Sequence, residues 1–171
     1  TCALPIWRVA IAYPGEGSER QPVHTVYGGA QLFKASTTGR LGELALQSMD
    51  HWLPGPDHLA DATGMAPELA EAVYPKIVEK LEREPVEDFR IDFEDGYGHR
   101  PDDEEDGHAR STAAEVARAM SGGTLPPFIG IRVKSLSAEL HRRALRTLDL
   151  FVTTLVEEAG ALDRKSTRLN S

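Results

Sequence analysis

Cysteine is almost missing from this chain: one occurs, at position 2, among 171 residues. A single thiol closes no intrachain disulfide and builds no cysteine-ligated zinc site, so small disulfide scaffolds and zinc ribbons are excluded. Long apolar runs are missing too, and no stretch is long and apolar enough to span a bilayer as a helix. Positive charge is in short supply. The 19 Lys and Arg are outnumbered by 27 Asp and Glu, for a formal net charge of −8. Without a basic patch neither a nucleic-acid nor a membrane-surface role is expected, since both need clustered Lys and Arg to meet phosphates. The most legible catalytic signatures are absent as well. The six histidines form no H-E-x-x-H, and there is no G-x-S-x-G, P-loop or G-x-G-x-x-G. The markers of zinc hydrolases, serine esterases and nucleotide-binding folds are therefore lacking.

What is present centres on Phe89-Arg90-Ile91-Asp92-Phe93-Glu94-Asp95-Gly96-Tyr97-Gly98. Phe89, Ile91 and Phe93 alternate with Arg90, Asp92 and Glu94, the period-2 pattern of a strand with one apolar and one polar face, and the two glycines break it. Strands of an ordinary doubly wound sheet are apolar on both faces, so a charged face needs a reason. Three readings fit: a strand of a small parallel barrel, which aims polar side chains toward a site at its carboxyl end, an antiparallel strand with a wet face, or carboxylates held by Arg90 and backbone N–H groups.

Both termini look foreign. Back-translated, Asp163 to Ser171 reads as a common sequencing-library adapter, and Thr1 to Ile6 as the end of the complementary one. The expected organisation is thus 1–6 and 163–171 adapter-like and 7–162 one partial domain. Within it, Trp7 to Tyr13 reads as a helix tail and residues 14–20 as a connector. Val23 to Tyr27 reads as a first strand ended by Gly28-Gly29, and Arg40 to Trp52 as a helix stopped by Pro54-Gly55-Pro56. Pro67 opens a second helix with Leu69, Ala70, Val73, Ile77 and Leu81 as its stripe, and Pro75 predicts a kink or a split. The run 101–106 opens a third helix, its acids facing the positive end of the dipole as a solvated start, and Gly122-Gly123 closes it. Phe128 to Val133 reads as a third strand, with Gly130, Arg132 and Lys134 on its polar face, and Ser137 as the N-cap of a last helix through Leu155. Strands separated by helices imply parallel pairing. The fold class expected is α/β, the amino-terminal portion of a TIM (β/α)8 barrel, truncated, since three strands fall short of eight.

If the second and third strands are neighbours, Arg90, Asp92, Glu94 and Arg132 project to one side. A guanidinium there can grip a substrate carboxylate with two parallel hydrogen bonds, and nearby carboxylates can hold a hard cation directly or through its waters. The same spacing also suits a purely structural Arg–carboxylate pair. His24 and His99 are candidate proton carriers, though a lone histidine is more often structural or merely exposed.

Ile91-Asp92-Phe93-Glu94-Asp95-Gly96 resembles the D-L-E-D-A segment of the citrate lyase β-subunit family, in the HpcH/HpaI aldolase and phosphoenolpyruvate/pyruvate-domain superfamily, and Ile131-Arg132-Val133-Lys134 resembles its v-R-i-N. His108-Ala109-Arg110 stands where that family often has a basic residue and A-R, and the likeness is nearest to an aldolase-like branch of unknown function. The resemblance implies a Mg²⁺-dependent carbon–carbon lyase or aldolase working through an enolate of small 2-oxo or hydroxy acids or their CoA thioesters. It implies Arg132 as the carboxylate-binding and catalytic arginine, Glu94 and Asp95 as catalytic groups bonding the metal's waters, and Asp92 beside them. Direct metal ligands are expected beyond Leu162, and the general base is not identified. Lys134 in place of Asn, and Gly28-Gly29-Ala30 in place of V-P-G, depart from the family where CoA would be recognised. The alternatives are a phosphoenolpyruvate- or pyruvate-utilising enzyme of the same superfamily and a non-catalytic metabolite-binding barrel. The protein is expected to be cytoplasmic, inactive as this piece alone, with a small carboxylate as partner, no nucleic acid and no membrane; a homo-oligomer is compatible with all of this.

Overall fold

The computed structural model describes Tyr13 and residues 19–160. The expected helix tail before Tyr13, most of the 14–20 connector and both adapter-like ends lie outside the described residues. Three strands, β1 (Thr25–Gly29), β2 (Asp88–Asp92) and β3 (Phe128–Arg132), form one parallel sheet in the order β1-β2-β3. The five α-helices among the described residues are α1 (Thr37–Trp52), α2 (Pro56–Thr63), α3 (Pro67–Arg83), α4 (Asp102–Gly122) and α5 (His141–Ala159), and a short 3-10 helix, Ala30–Leu32, follows β1. The chain is α/β with parallel strands, and the antiparallel reading of the Asp92 strand is ruled out. No described helix is long and apolar enough to cross a membrane.

Register sorts the side chains onto two faces. Val26, Phe89 and Ile129 align, as do Gly28, Ile91 and Ile131. These rows meet Ala109, Ala113, Val116 and Ala117 of α4 and Phe151 and Leu155 of α5 in the main core. Small residues along α4 let α5 approach closely, since alanine adds little thickness between helix axes. The other face carries the rows Thr25–Asp88–Phe128, Tyr27–Arg90–Gly130 and Gly29–Asp92–Arg132. It is polar and half open, with Tyr27 54 % exposed.

Several expected boundaries move. Strand β1 starts two residues late and runs through Gly28 and Gly29, because a side chain at 28 would meet the Phe89 ring, its Cβ 2.7 Å from Cζ. The glycines let the strand lie close to β2 rather than ending it. Pro56 does not merely stop α1: it occupies the first turn of α2, a helix the sequence reading lacks. Helix α3 continues through Pro75 as one element, with the proline exposed, where a kink or split was expected. Helices α2 and α3 bury a satellite core of Leu59, Ala60 and Ala70. The last helix begins at His141. Ser137 caps nothing with its side chain; its carbonyl instead accepts the Leu140 and His141 N–H groups in a preceding turn.

Candidate functional site

The carboxyl ends of β2 and β3 meet in a charged corner. Asp92, last in β2 and 2 % exposed, accepts the Glu94 N–H at Oδ1 and the Gly96 N–H at Oδ2, each at 2.8 Å. Those bonds wrap the chain around the carboxylate as an aspartate turn does. A Cβ at Gly96 would stand 2.9 Å from Asp92 Oδ2, so a larger residue there would have to displace the carboxylate. The turn delivers Glu94 and Asp95 to Arg132, which lies in register with Asp92 at the end of β3. Arg132 donates from Nε to Glu94 Oε2 at 2.7 Å and from Nη2 to Asp95 Oδ2, while Nη1 stands 3.7 Å from Asp92. Its guanidinium also lies 5.4 Å from the centre of the Tyr27 ring. Hydrogen bonds to Glu94 and then Asp95 hold Arg132 more firmly charged than usual. The structure therefore brings together the four residues that the resemblance implies for the site, Asp92, Glu94, Asp95 and Arg132.

Their donor chemistry bears on a metal. Asp92 has both oxygens on backbone amides, and Glu94 and Asp95 each give one oxygen to Arg132. Among the described residues no three His, Cys, Asp or Glu side chains converge to hold a metal directly. The remaining oxygens of Glu94 and Asp95, 33 % and 82 % exposed as side chains, fit a cation held through its waters. The histidines stand apart from this corner: His24 precedes β1 at the opposite end of the sheet, where its Nε2 accepts the Glu87 N–H at 3.4 Å, and His99 is exposed in the loop beyond Glu94.

Behind the corner lies a network that sequence reasoning missed. Lys134 lies two residues beyond the end of β3 at Arg132, and its amine is drawn into the interior. It is 7 % exposed and donates to the Phe93 carbonyl at 2.7 Å and to Glu105 Oε2 at 2.8 Å. Glu105, 1 % exposed, also accepts from Arg143 Nε and Thr147 Oγ1, each at 2.7 Å. Asp106 pairs with Arg146. The acidic run is thus not wholly a solvated helix start: two of its acids are buried between α4 and α5. The signal was available, since Glu105 lies one turn before Ala109 on the stripe that continues through Thr112, Ala113 and Val116. Tyr97, 3 % exposed, shares a 2.8 Å hydrogen bond with His108 Nδ1, and burial pushes its phenol up to about 12.

One glycine sets how near β1 stands to the Asp92 turn. A Cβ at Gly29 would lie 2.4 Å from the Gly96 carbonyl oxygen and 2.6 Å from Gln31 Oε1. Gly29→Ala should therefore push the 94–98 loop outward and lower stability by about 1–3 kcal/mol in urea denaturation. Unchanged stability would mean that the loop yields freely.

A family described as a domain of unknown function (DUF6986) matches residues 7–166. No curated protein and no solved structure matches the chain.

Proposed function

The chain belongs to the DUF6986 family, and from the chemistry of its site we propose that it is the amino-terminal part of a (β/α)8-barrel carbon–carbon lyase or aldolase. The reading rests on one observation above all: Arg132, Glu94 and Asp95 are clamped together at the carboxyl ends of adjacent parallel strands, over a sheet face that is polar and half open. Carboxyl-end corners of this kind are where parallel α/β barrels place their chemistry. The likeness of Asp92 to Gly96 and of Ile131 to Lys134 to the citrate lyase β-subunit family supplies the reaction class.

In this reading Arg132 binds the carboxylate of a small 2-oxo or hydroxy acid, free or as a CoA thioester. Its Nε and one Nη2 hydrogen orient Glu94 and Asp95, and the other Nη2 hydrogen and the Nη1 hydrogen parallel to it are offered to the substrate. Asp92 fixes the turn so that both acids keep their place without a flexible loop's entropy cost. Glu94 and Asp95 would hold the waters of a Mg²⁺ ion, which when bound supplies Lewis acidity toward a developing enolate. A second reading, a non-catalytic barrel binding an acidic metabolite, draws support from the degree to which Arg132 is already satisfied by its own acids.

The full-length protein, assayed against a panel of 2-oxo acids, hydroxy acids and acyl-CoA thioesters, should turn over at least one member with Mg²⁺ and none after chelation. Measurable binding of an acid with no bond cleavage at any metal concentration would favour the binding module.

A further inference from the structure

Lys134 is buried for a reason that its ion pair with Glu105 does not supply. A lysine only 7 % exposed is rare, because stripping its ammonium of water is costly unless strong acceptors replace that water. Glu105 is served without it: Arg143 Nε donates to its Oε2 and Thr147 Oγ1 to its Oε1, each at 2.7 Å. The other acceptor of the lysine lies at the site. Strand β2 ends at Asp92, and the next carbonyl, that of the fully buried Phe93, accepts from Lys134 Nζ at 2.7 Å. The ammonium also stands 5.1 Å from the centre of the Tyr97 ring, which belongs to the same turn.

The Phe93–Glu94 peptide is thereby held at both edges. Lys134 binds its carbonyl from the core side, and Asp92 Oδ1 binds its N–H, that of Glu94, at 2.8 Å from the polar side. A planar peptide fixed at both edges cannot turn about its two flanking bonds, so the direction in which Glu94 leaves the chain is set before any ligand arrives. The amide before it is fixed too, since Phe93 N–H donates to the Arg132 carbonyl at 2.8 Å. Lys134 follows Arg132 by two residues, so one short segment grips Glu94 twice. The Arg132 guanidinium holds its carboxylate at 2.7 Å, and the Lys134 amine holds the peptide that carries it.

We infer that Lys134 is a positioning residue: it sets the Phe93–Glu94 peptide so that the Glu94 carboxylate meets Arg132, and through Glu105 it anchors that alignment to α4 and α5. What Glu94 and Arg132 then do to a substrate rests on the proposed function, whereas their alignment by Lys134 does not.

Nuclear magnetic resonance of the full-length protein, isotope-labelled at arginine Nε, tests the alignment, and Mg²⁺-dependent turnover of the panel compound that is cleaved tests its use. The Arg132 Nε–H resonance, assigned by its loss in Arg132→Lys, should exchange with solvent about tenfold or more faster in Lys134→Met, the effect of losing one charge-assisted hydrogen bond. In the same variant kcat should fall about tenfold to a hundredfold while KM changes less than about twofold, since Arg132 keeps its place on β3. In Glu94→Ala, where the positioned carboxylate is gone, adding Lys134→Met should change kcat less than about twofold. If Lys134→Met fails to fold, Lys134→Gln with Glu105→Gln leaves an amide pair in place of the buried charges, and Arg143 keeps Asp102 at 3.0 Å. Glutamine is too short to reach the Phe93 carbonyl as well, so this double variant should speed the exchange equally. Exchange at the wild-type rate, or kcat losses that simply multiply when Lys134→Met and Glu94→Ala are combined, overturns the positioning role. A protein in which Lys134→Met frees the Arg132 resonance, but whose wild type cleaves nothing in the panel, keeps the role and loses the lyase reading.

Discussion

Glu105→Ala should cost about 3–5 kcal/mol, the range for breaking a buried ion pair by removing one partner. The side chain is 1 % exposed and joins Lys134 of the β3–α5 connection to Arg143 and Thr147 of α5. Its removal strands Lys134, itself 7 % exposed, with only the Phe93 carbonyl as acceptor. Against a total stability of about 5–15 kcal/mol for a domain, such a loss leaves much of the protein unfolded under mild denaturant. Acidity should produce a related effect. Burial raises the Glu105 pKa, but hydrogen bonds from Lys134 and Thr147, with the nearby charge of Lys134, outweigh it and hold the group below its ordinary value. The stabilisation is therefore complete above the unfolded pKa of about 4.3 and is lost as pH falls from there through the folded value. Urea denaturation from pH 7 down to 3 should show this acid loss in wild type and a flatter limb in Glu105→Gln. A Glu105→Ala penalty below about 1 kcal/mol would show the network to be incidental.

The parts legible in the sequence were those written in local periodicity. Alternation from Phe89 to Phe93 placed β2 and its polar face correctly, and the glycines at 96 and 98 fell where the strand yields to the Asp92 turn. The Gly122-Gly123 stop of α4, where Gly123 takes a positive φ of 65°, was equally plain. The misses have physical causes. Gly28 and Gly29 read as punctuation because a single strand does not reveal the ring of Phe89 or the Gly96 carbonyl packed against it. Pro56 and Pro75 were read as breakers. The first is instead well suited to a helix start, and the second sits on an exposed face where tertiary packing of the rest of α3 overrides its local cost. Lys134 lies two residues past the last ladder position, where strand alternation says nothing of its bond to Glu105. The pairing of Arg132 with Glu94 and Asp95 was foreseeable from strand adjacency, whereas the Glu105 network that binds Lys134, Arg143 and Thr147 exists only in three dimensions.

Arg132→Lys should lower turnover of the full-length protein by about 10²–10³-fold, the loss typical of removing one preorganised charge-stabilising donor. Lysine keeps the charge but offers no planar fork, so it cannot bridge Glu94 and Asp95 while presenting parallel hydrogens to a carboxylate. Folding should barely respond. The Arg132 side chain is 31 % exposed and its partner Asp95 82 % exposed, and pairs so open to water are worth about 0–1 kcal/mol. The catalytic and structural readings thus differ in which quantity moves. The decisive measurement is Mg²⁺-dependent turnover of wild type and Arg132→Lys, per folded molecule, beside their melting curves. The account predicts a fall of at least about a hundredfold in turnover with nearly superimposable melting curves; a destabilised variant that retains full turnover per folded molecule would contradict it.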